Sequence, residues 1–274
     1  MEGTAVIEDG EEIPLLGGDV TEGLVRVGDT VRRPPGERDE LVRDVLTYLE
    51  KVGFEGAPRF LGVDSAGRQA LTYIDGEVAG RPRPAWIADE ERAVSVARLL
   101  RRYHDAIEGL GIPQNVPAPI EPPGLAPLDD PAELLGHQDV TPENVVFREG
   151  RAYALIDFDL VRPVSRAGEV VNLMLWWAPF GPDADLDPEL RGLDRLRRCR
   201  LLADAYGLSE PDRRRLMKLA IARDGRAWHT MKHRAETLGG GWQRMWSEGV
   251  GDTIRHRQTW LEEYADPITT ALLS

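Results

Sequence analysis

His137-Gln138-Asp139-Val140-Thr141-Pro142-Glu143-Asn144, followed by Ile156-Asp157-Phe158-Asp159, is the stretch on which the reading of this chain turns. It supplies a carboxylate, then an amide five residues on, then a second carboxylate after two short apolar runs. Phosphoryl transfer calls for such a set: one group to orient the attacking hydroxyl, and two oxygen ligands to hold Mg²⁺ against the phosphates. Pro142 stiffens the turn between Asp139 and Asn144 by fixing φ. Asn144-Val145-Val146-Phe147 reads as a strand, Gly150 as a turn, and Ala152-Tyr153-Ala154-Leu155-Ile156 as the returning strand. A hairpin of that kind brings Asp157 back beside Asn144, and both are hard oxygen ligands suited to Mg²⁺. The bland alternative is a polar turn before an ordinary hairpin, with Asp139 or Thr141 only capping it. The second carboxylate at the end of the return strand speaks against that.

Outward from this stretch, the chain of 274 residues has the size of one large domain or of two lobes sharing a cleft. Hydrophobic residues make up 42% and charged residues 30%, enough for a packed core and against wholesale disorder. The net charge of −13 argues against general nucleic-acid binding, which needs a basic footprint. It suits a cationic ligand, although an acidic surface also serves solubility. Lys51, Lys218 and Lys232 are the only lysines, so no G-x-x-x-x-G-K-[ST] loop exists and a P-loop NTPase is excluded. Cys199 is the only cysteine, which excludes an internal disulfide. It lies among Arg197, Arg198 and Arg200, where positive charge could lower a thiol pKa, but a structural thiol on a helix is the better reading. The first twelve residues lack the basic start and apolar run of a secretory signal. No apolar stretch approaches the length needed to span a bilayer. A cytoplasmic protein without membrane or nucleic-acid partners is expected.

Short apolar runs at Thr4 to Ile7 and Ile13 to Leu16 predict strands, with a glycine-rich segment, Gly17 to Gly23, after them. Leu24-Val25-Arg26-Val27 and Thr30-Val31-Arg32-Arg33 read as a hairpin turned at Gly28-Asp29. Leu41, Val45, Leu46, Leu49 and Val52 follow helical spacing, stopped by Gly53. Arg59 to Val63 and Gln69 to Ile74 read as two more strands. From Gly76 the character changes. A long helix starts at Asp89 and runs through Ala93, Val96, Leu100, Tyr103 and Ile107. A proline-rich loop covers Pro113 to Pro131. After the hairpin, helices are expected over Val170 to Trp177, Pro188 to Tyr206, Pro211 to Leu238 and Gly251 to Ala265. The fold class is therefore α+β. It has an N-terminal antiparallel sheet with one helix over residues 1–76 and a mainly helical part over 77–274.

At these residues the chain resembles the aminoglycoside phosphotransferase family, which shares the protein-kinase-like fold with choline kinases. The kinase pattern H-R-D-x-x-x-x-N then D-F-G is read here as H-Q-D-x-x-x-x-N then D-F-D. Trp260-Leu261-Glu262-Glu263 is similar to the tail of actinobacterial members, a weaker sign. The resemblance covers most of the chain and implies a bilobal fold, ATP or GTP with Mg²⁺ as cofactors, and a small hydroxylated substrate. It implies that Asp139 orients or deprotonates the acceptor hydroxyl, that Asn144 and Asp157 bind Mg²⁺, and that the His137 ring holds the loop. Gly17, Gly18 and Thr21 fall where a nucleotide loop would cover the phosphates, since glycine lets backbone approach them closely. Thr72 and Ile74 fall at the hinge that would meet adenine through its backbone.

Two departures stand out. The family expects a phosphate-binding lysine on the strand Thr30-Val31-Arg32-Arg33, which has none. Strand alternation puts Val31 and Arg33 on one face and Arg32 on the other, so Val31 would lie under adenine and Arg33, ahead of Arg32, would take the lysine's place. Among Glu37, Glu40 and Glu50 on the following helix, none is singled out by spacing as its partner. The second departure lies after the site, where an aspartate often braces the catalytic loop and Ala167-Gly168-Glu169-Val170 offers only Glu169. The two departures keep a second function open, a pseudokinase that binds nucleotide or acts as a scaffold without transfer. His229 and His233 have the i, i+4 spacing of zinc ligands but lack the glutamate of H-E-x-x-H, and an exposed or capping pair is the better reading. Trp176, Trp177, Trp242 and Trp246 could line a pocket, though aromatics at such spacing are more often core. Asp183, Asp185, Asp187 and Glu189 could attract a cation or form a solvated loop.

Overall fold

The computed structural model describes residues 6–7, 10–15 and 23–274. One sheet of six strands, in the order β1-β5-β6-β4-β3-β2, is built from β1 (Val6–Ile7), β2 (Ile13–Pro14), β3 (Val25–Val27), β4 (Thr30–Arg33), β5 (Phe60–Asp64) and β6 (Gln69–Thr72). The pairings from β2 through β3, β4 and β6 to β5 are antiparallel, whereas β1 adds to β5 in parallel at the edge. Gly28, at φ 57°, makes the expected β3–β4 turn. α1 (Asp39–Lys51) buries Leu41, Val42, Val45, Leu46 and Leu49. Each such side chain contributes roughly 1.5–3 kcal/mol on leaving water. Val52, assigned to the same stripe from sequence, lies past the helix end and is 45% exposed. Gly53 at φ 75° stops the helix as expected.

The remaining chain is mainly helical around two small sheets. α2 (Glu90–Ile107) starts on Asp89, whose side chain accepts from the Glu91 amide. Ala93, Val96, Leu100, Tyr103 and Ile107 are buried, as their spacing predicts. β7 (Leu134–Gly136) pairs with β10 (Arg162–Val164), and β8 (Val145–Arg148) pairs with β9 (Arg151–Leu155) through a turn at Glu149 and Gly150, both at positive φ. Positive φ at both central residues gives the turn whose twist matches a hairpin. Neither β7 nor β10 is legible from sequence, each being only three residues long.

α3 (Arg166–Trp177), α4 (Arg195–Tyr206), α5 (Glu210–Leu238), α6 (Gly240–Ser247) and α7 (Val250–Leu273) complete the molecule. α3 begins earlier than its apolar stripe because Ser165 caps it by accepting from the Gly168 amide. α4 starts at Arg195 rather than near Pro188, on an Asp194 cap that accepts from the Arg197 amide. Positive φ at Gly239 and Gly240 breaks α5 from α6. α7 continues through Pro267 because Ile268 and Leu272 beyond it are fully buried.

The two parts meet at the connecting segment. The Glu77 and Phe147 amides and carbonyls exchange hydrogen bonds of 2.9 and 2.7 Å. A Cβ at Gly76 would lie 2.7 Å from the Phe147 carbonyl oxygen, so only glycine fits there. Leu155 donates to Gly56 O, and Arg38 donates to Val161 O, which fasten sheet-side loops to the catalytic region. The result is the bilobal α+β architecture expected from the sequence.

Candidate active site

The segment after β7 turns back on itself through a single helical turn at Pro142–Asn144. The Asn144 side-chain amide donates to Asp139 twice, to its carbonyl at 3.1 Å and to Oδ2 at 2.8 Å. This pins the two residues five apart and leaves Asn144 Oδ1 as an oxygen donor. Ile156 donates to Asn144 O at 2.9 Å, so the β8–β9 hairpin returns Asp157 to Asn144 as the sequence predicts. Asp157 sits at φ 63°, ψ 75°, a left-handed conformation that a non-glycine residue adopts at a cost of roughly 1–3 kcal/mol. Burial pushes its pKa well above the usual carboxylate range, and the neighbouring Asp159 and Asp139 push it further, against the pull of Arg33.

His137 takes the bracing position. Its Nδ1 accepts from the Asp139 amide at 3.3 Å, which leaves Nε2 to donate to Ile156 O at 3.0 Å. Phe158 packs edge-on against the ring. Burial pushes the His137 pKa down to about 4, so the neutral tautomer that fits these bonds persists at neutral pH.

The basic strand residues separate as alternation requires. Arg33 reaches Asp159 at 2.6 Å and Asp39 at 3.9 Å. Arg32 points to the other face and pairs with Asp64 at 3.7 Å. The carboxylate that α1 offers to Arg33 is thus Asp39, not Glu37, Glu40 or Glu50. The signal was its place in the first turn of the helix that follows the strand. Val31 lies opposite Leu71 in the β4–β6 register. Thr72 ends β6, with its amide bonded to Arg59 O and its hydroxyl accepting from the Arg59 amide. Ile74 lies just beyond. Gly17, Gly18 and Thr21 lie outside the described residues.

The loop brace expected to be lacking is present and is made by Glu169. Fully buried on α3, Glu169 accepts from the Gln138 amide at 2.8 Å and from the Gln138 side-chain amide through its other oxygen. Gln138 is held at φ 64°. A Cβ at Gly136 would strike Glu169 Oε2, so glycine there makes the room. The extra methylene of glutamate reaches what a shorter aspartate would meet from closer in, which is why a reading by residue type missed it. Two further α3 side chains, not foreseen from sequence, finish the support. Asn172 accepts from the Val140 amide at 3.0 Å and donates to Gln138 O at 3.3 Å, and Trp177 donates to Val140 O at 2.9 Å. A polar residue three after Glu169, on the same helix face, was the available sign.

A divalent cation fits this place. Asp157 stands beside the Asp139 and Asp159 carboxylates, which push its pKa further up, and a divalent cation at these oxygens would relieve that repulsion. Among the described residues no group of three or more His, Cys, Asp or Glu is arranged to hold a metal alone. Mg²⁺ takes one or two protein oxygens and completes its shell with water and phosphates, and Asn144 and Asp157 are such oxygen ligands.

The remaining candidates are structural. His229 and His233 belong to no such ligand group. The Cys199 thiol is buried and pushed up to about 12, so the flanking arginines do not activate it. Asp183 pairs with Arg195, Asp185 with His256 at 2.8 Å and Asp187 with Arg83 at 3.3 Å, which occupies the acidic run with internal contacts. Trp177 is core, and Trp246 packs on Trp228. No described helix is long and apolar enough to cross a membrane.

No family model matches the sequence. The chain is 34% identical over 209 residues to the trifolitoxin immunity protein of Rhizobium leguminosarum bv. trifolii, covering 74% of this chain and 77% of that protein. Among solved structures, an ethanolamine kinase of Plasmodium vivax superposes with a TM-score of 0.57 at 15% identity, over 86% of this chain and 81% of that one. A choline/ethanolamine kinase family protein of Mesorhizobium loti gives 0.56 at 16% identity, over 97% and 93%. The ADP-bound aminoglycoside phosphotransferase APH(2'')-Ib gives 0.52 at 14% identity, over 93% and 95%. The fold is that of the choline kinases and aminoglycoside phosphotransferases.

Proposed function

The chain belongs to the family of the trifolitoxin immunity protein, and from that premise we propose that it is an ATP-dependent phosphotransferase that phosphorylates a hydroxyl of a small molecule. The observation that carries this reading is the convergence of Asp139, Asn144 and Asp157 at the end of one hairpin. Asp139 accepts the proton of the attacking hydroxyl, whose oxygen bonds to the γ-phosphorus as the bond to the leaving ADP breaks. Asn144 Oδ1 and Asp157 would hold Mg²⁺, which would supply positive charge against the phosphates. Arg33 contacts the phosphates in place of lysine, and Asp159 and Asp39 orient it. Residues 1–76 serve as the nucleotide lobe, with Gly17, Gly18, Thr21 and Val31 and the backbone of Thr72 and Ile74 around ATP. Residues 77–274 carry the acceptor. ATP rather than GTP is the donor in this reading, in keeping with the ADP seen in a structurally similar phosphotransferase. The immunity role of the relative points to a toxin hydroxyl as acceptor, masked by the phosphate it receives.

A second reading rests on one observation. Arg33 is already engaged by Asp159 at 2.6 Å, which would suit a nucleotide-binding protein that no longer transfers. Thermal melting with ATP, with and without Mg²⁺, tests the shared premise. The protein should melt several degrees higher with both than with ATP alone, and Asp157→Ala should lose that difference. Absence of any Mg²⁺-dependent shift in the wild type would overturn the phosphotransferase reading, and absence of any shift with ATP would overturn both. A shift without phosphorylated product from any hydroxyl compound would leave only the second.

A further inference from the structure

On the helical side of the catalytic loop a cavity of about 430 Å³ lies between β10, α3, α5, α7 and the proline-rich loop. Five arginines and three carboxylates line it, in a chain whose net charge is −13. The carboxylates are committed. Glu121 pairs with Arg226 at 2.5 Å, Asp224 with Arg257 at 2.6 Å, and Asp130 with Arg215 at 2.7 Å.

Three cations are left over. Arg162 Nε and Arg223 Nη2 both donate to the Gln138 side-chain oxygen, at 3.0 and 2.8 Å, and Arg234 Nε donates to Ile120 O at 3.1 Å. Each of these acceptors is neutral, and among the described residues none of the three guanidiniums forms an ion pair. A guanidinium has five N–H donors in a rigid fork, so one bond to a neutral oxygen leaves both charge and donors for a ligand. Glu169 and Glu121 act on Arg162 and Arg223, Asp130 acts on Arg223 and Glu121 on Arg234, but Glu121 and Asp130 are paired with other arginines and Glu169 also holds Gln138, so the arginines remain in surplus. The cluster is under electrostatic strain. Burial, then Arg223 and Arg234, push Arg162 down to about 10, and burial lowers Arg223 and Arg234 as well, with Arg226 and Arg38 as their respective basic neighbours.

The cavity is linked to the loop through side chains that line it. Asn172 lines it while accepting from the Val140 amide, and Gln138, which two of the arginines hold, precedes Asp139 in the chain. We propose that this cavity is the acceptor subsite and that Arg162, Arg223 and Arg234 bind an anionic group of the acceptor, a carboxylate or a phosphate, while its hydroxyl meets Asp139. This rests on the phosphotransferase reading and narrows its substrate class. The acidic overall charge had suggested a cationic ligand, but the local charge of the cavity is the reverse.

Calorimetric titration of the full-length protein without nucleotide tests the cavity on its own. Glycerol 3-phosphate and glycerate probe the two anions, with glycerol and choline as neutral and cationic controls. At least one anion should bind tenfold or more tightly than both controls, and the preferred one tells phosphate from carboxylate. Arg234→Gln should weaken that binding about tenfold, and Arg234→Lys should restore most of it. ADP release with the same four compounds and Mg²⁺-ATP should follow the same order. Equal binding of controls and anions, a preference for choline, no anion binding, or an unchanged preference in a folded Arg234→Gln protein would each overturn the inference. These outcomes leave the phosphotransferase reading to stand or fall on its separate Mg²⁺-ATP melting shift.

Discussion

Around Asp139, Asp157 and Asp159, half-buried carboxylates outnumber the nearby cation, Arg33, whereas around Gln138, only one residue earlier in the loop, arginines outnumber the carboxylate Glu169. A buried surplus of either sign is costly when unpaired. In the readings proposed above, a cation and phosphates would complete one side of the loop and an anion the other. Changes that remove charge from one side only should therefore have separable effects. The largest is expected from Asp139→Ala, which removes the group that takes the hydroxyl proton. Product formation should fall about 10³-fold, within the usual range for a lost general base, while the Mg²⁺-ATP melting shift stays as in wild type. Steady-state rates measured beside melting curves check this. Equal turnover in the two proteins would dismiss Asp139 from its role.

Glu169 sits between the two sides, so its loss should disturb both. Glu169→Ala strands the Gln138 amide and side chain and takes from Arg162 and Arg223 the strongest of their negative neighbours. Hydrogen bonds to a buried charged group are worth about 1.5–3 kcal/mol each net, so a loss on the order of 3 kcal/mol is expected in urea unfolding. Turnover should fall with it as the loop loosens. Glu169→Asp should recover part of both if the brace depends on charge as well as reach. A variant as stable as wild type would show that the loop is held by Asn172 and Trp177 instead.

Arg33 and Arg32 sharpen the comparison at the strand, where adjacent arginines face opposite ways. Arg33→Ala should raise the KM for ATP about tenfold, about 1.4 kcal/mol of binding, and Arg33→Lys should stay near wild type. Arg32→Ala should leave the KM unchanged and lower stability instead, since Arg32 is 2% exposed and pairs with Asp64. The reverse pattern would exchange their roles.

What the sequence made legible divides along the same line. Asp139, Asn144 and Asp157 could be placed together because a short hairpin fixes their distances locally, and a turn at Gly150 is readable from residue type. The helices of the core could be read from their spacing, as in α1 and α2. The arginine cavity could not, because Arg162, Arg223 and Arg234 come from β10 and from two distant turns of α5, and only the packing of α5 beside α3 brings them together. The Glu169 brace was visible as a residue but not as a contact, since its worth depends on the space that Gly136 leaves. Overall charge misled for the same reason. A net value of −13 says nothing about where surplus arginines gather.

The smallest effect is expected far from either side, at His104. It is fully buried on α2 with Nδ1 2.6 Å from the Tyr206 hydroxyl and Nε2 without a partner among the described residues. Burial, and then Arg166, Arg101 and His137, hold its pKa well below 6.5. A histidine whose folded pKa is depressed binds its proton more readily in the unfolded chain. Its contribution is therefore intact above about pH 6.5 and is lost as pH falls, by at most about 1.4 kcal/mol per pH unit. His104→Phe removes that proton uptake. At pH 7 it loses one hydrogen bond to Tyr206 but also removes the unsatisfied Nε2, so the net change should stay under about 1 kcal/mol. Urea midpoints at pH 7 and pH 5 check the sign, since the gap between them should be narrower in His104→Phe than in wild type. His137, pushed down to about 4, keeps some acid dependence in both proteins. An unchanged gap would mean that His104 is not neutral in the folded core.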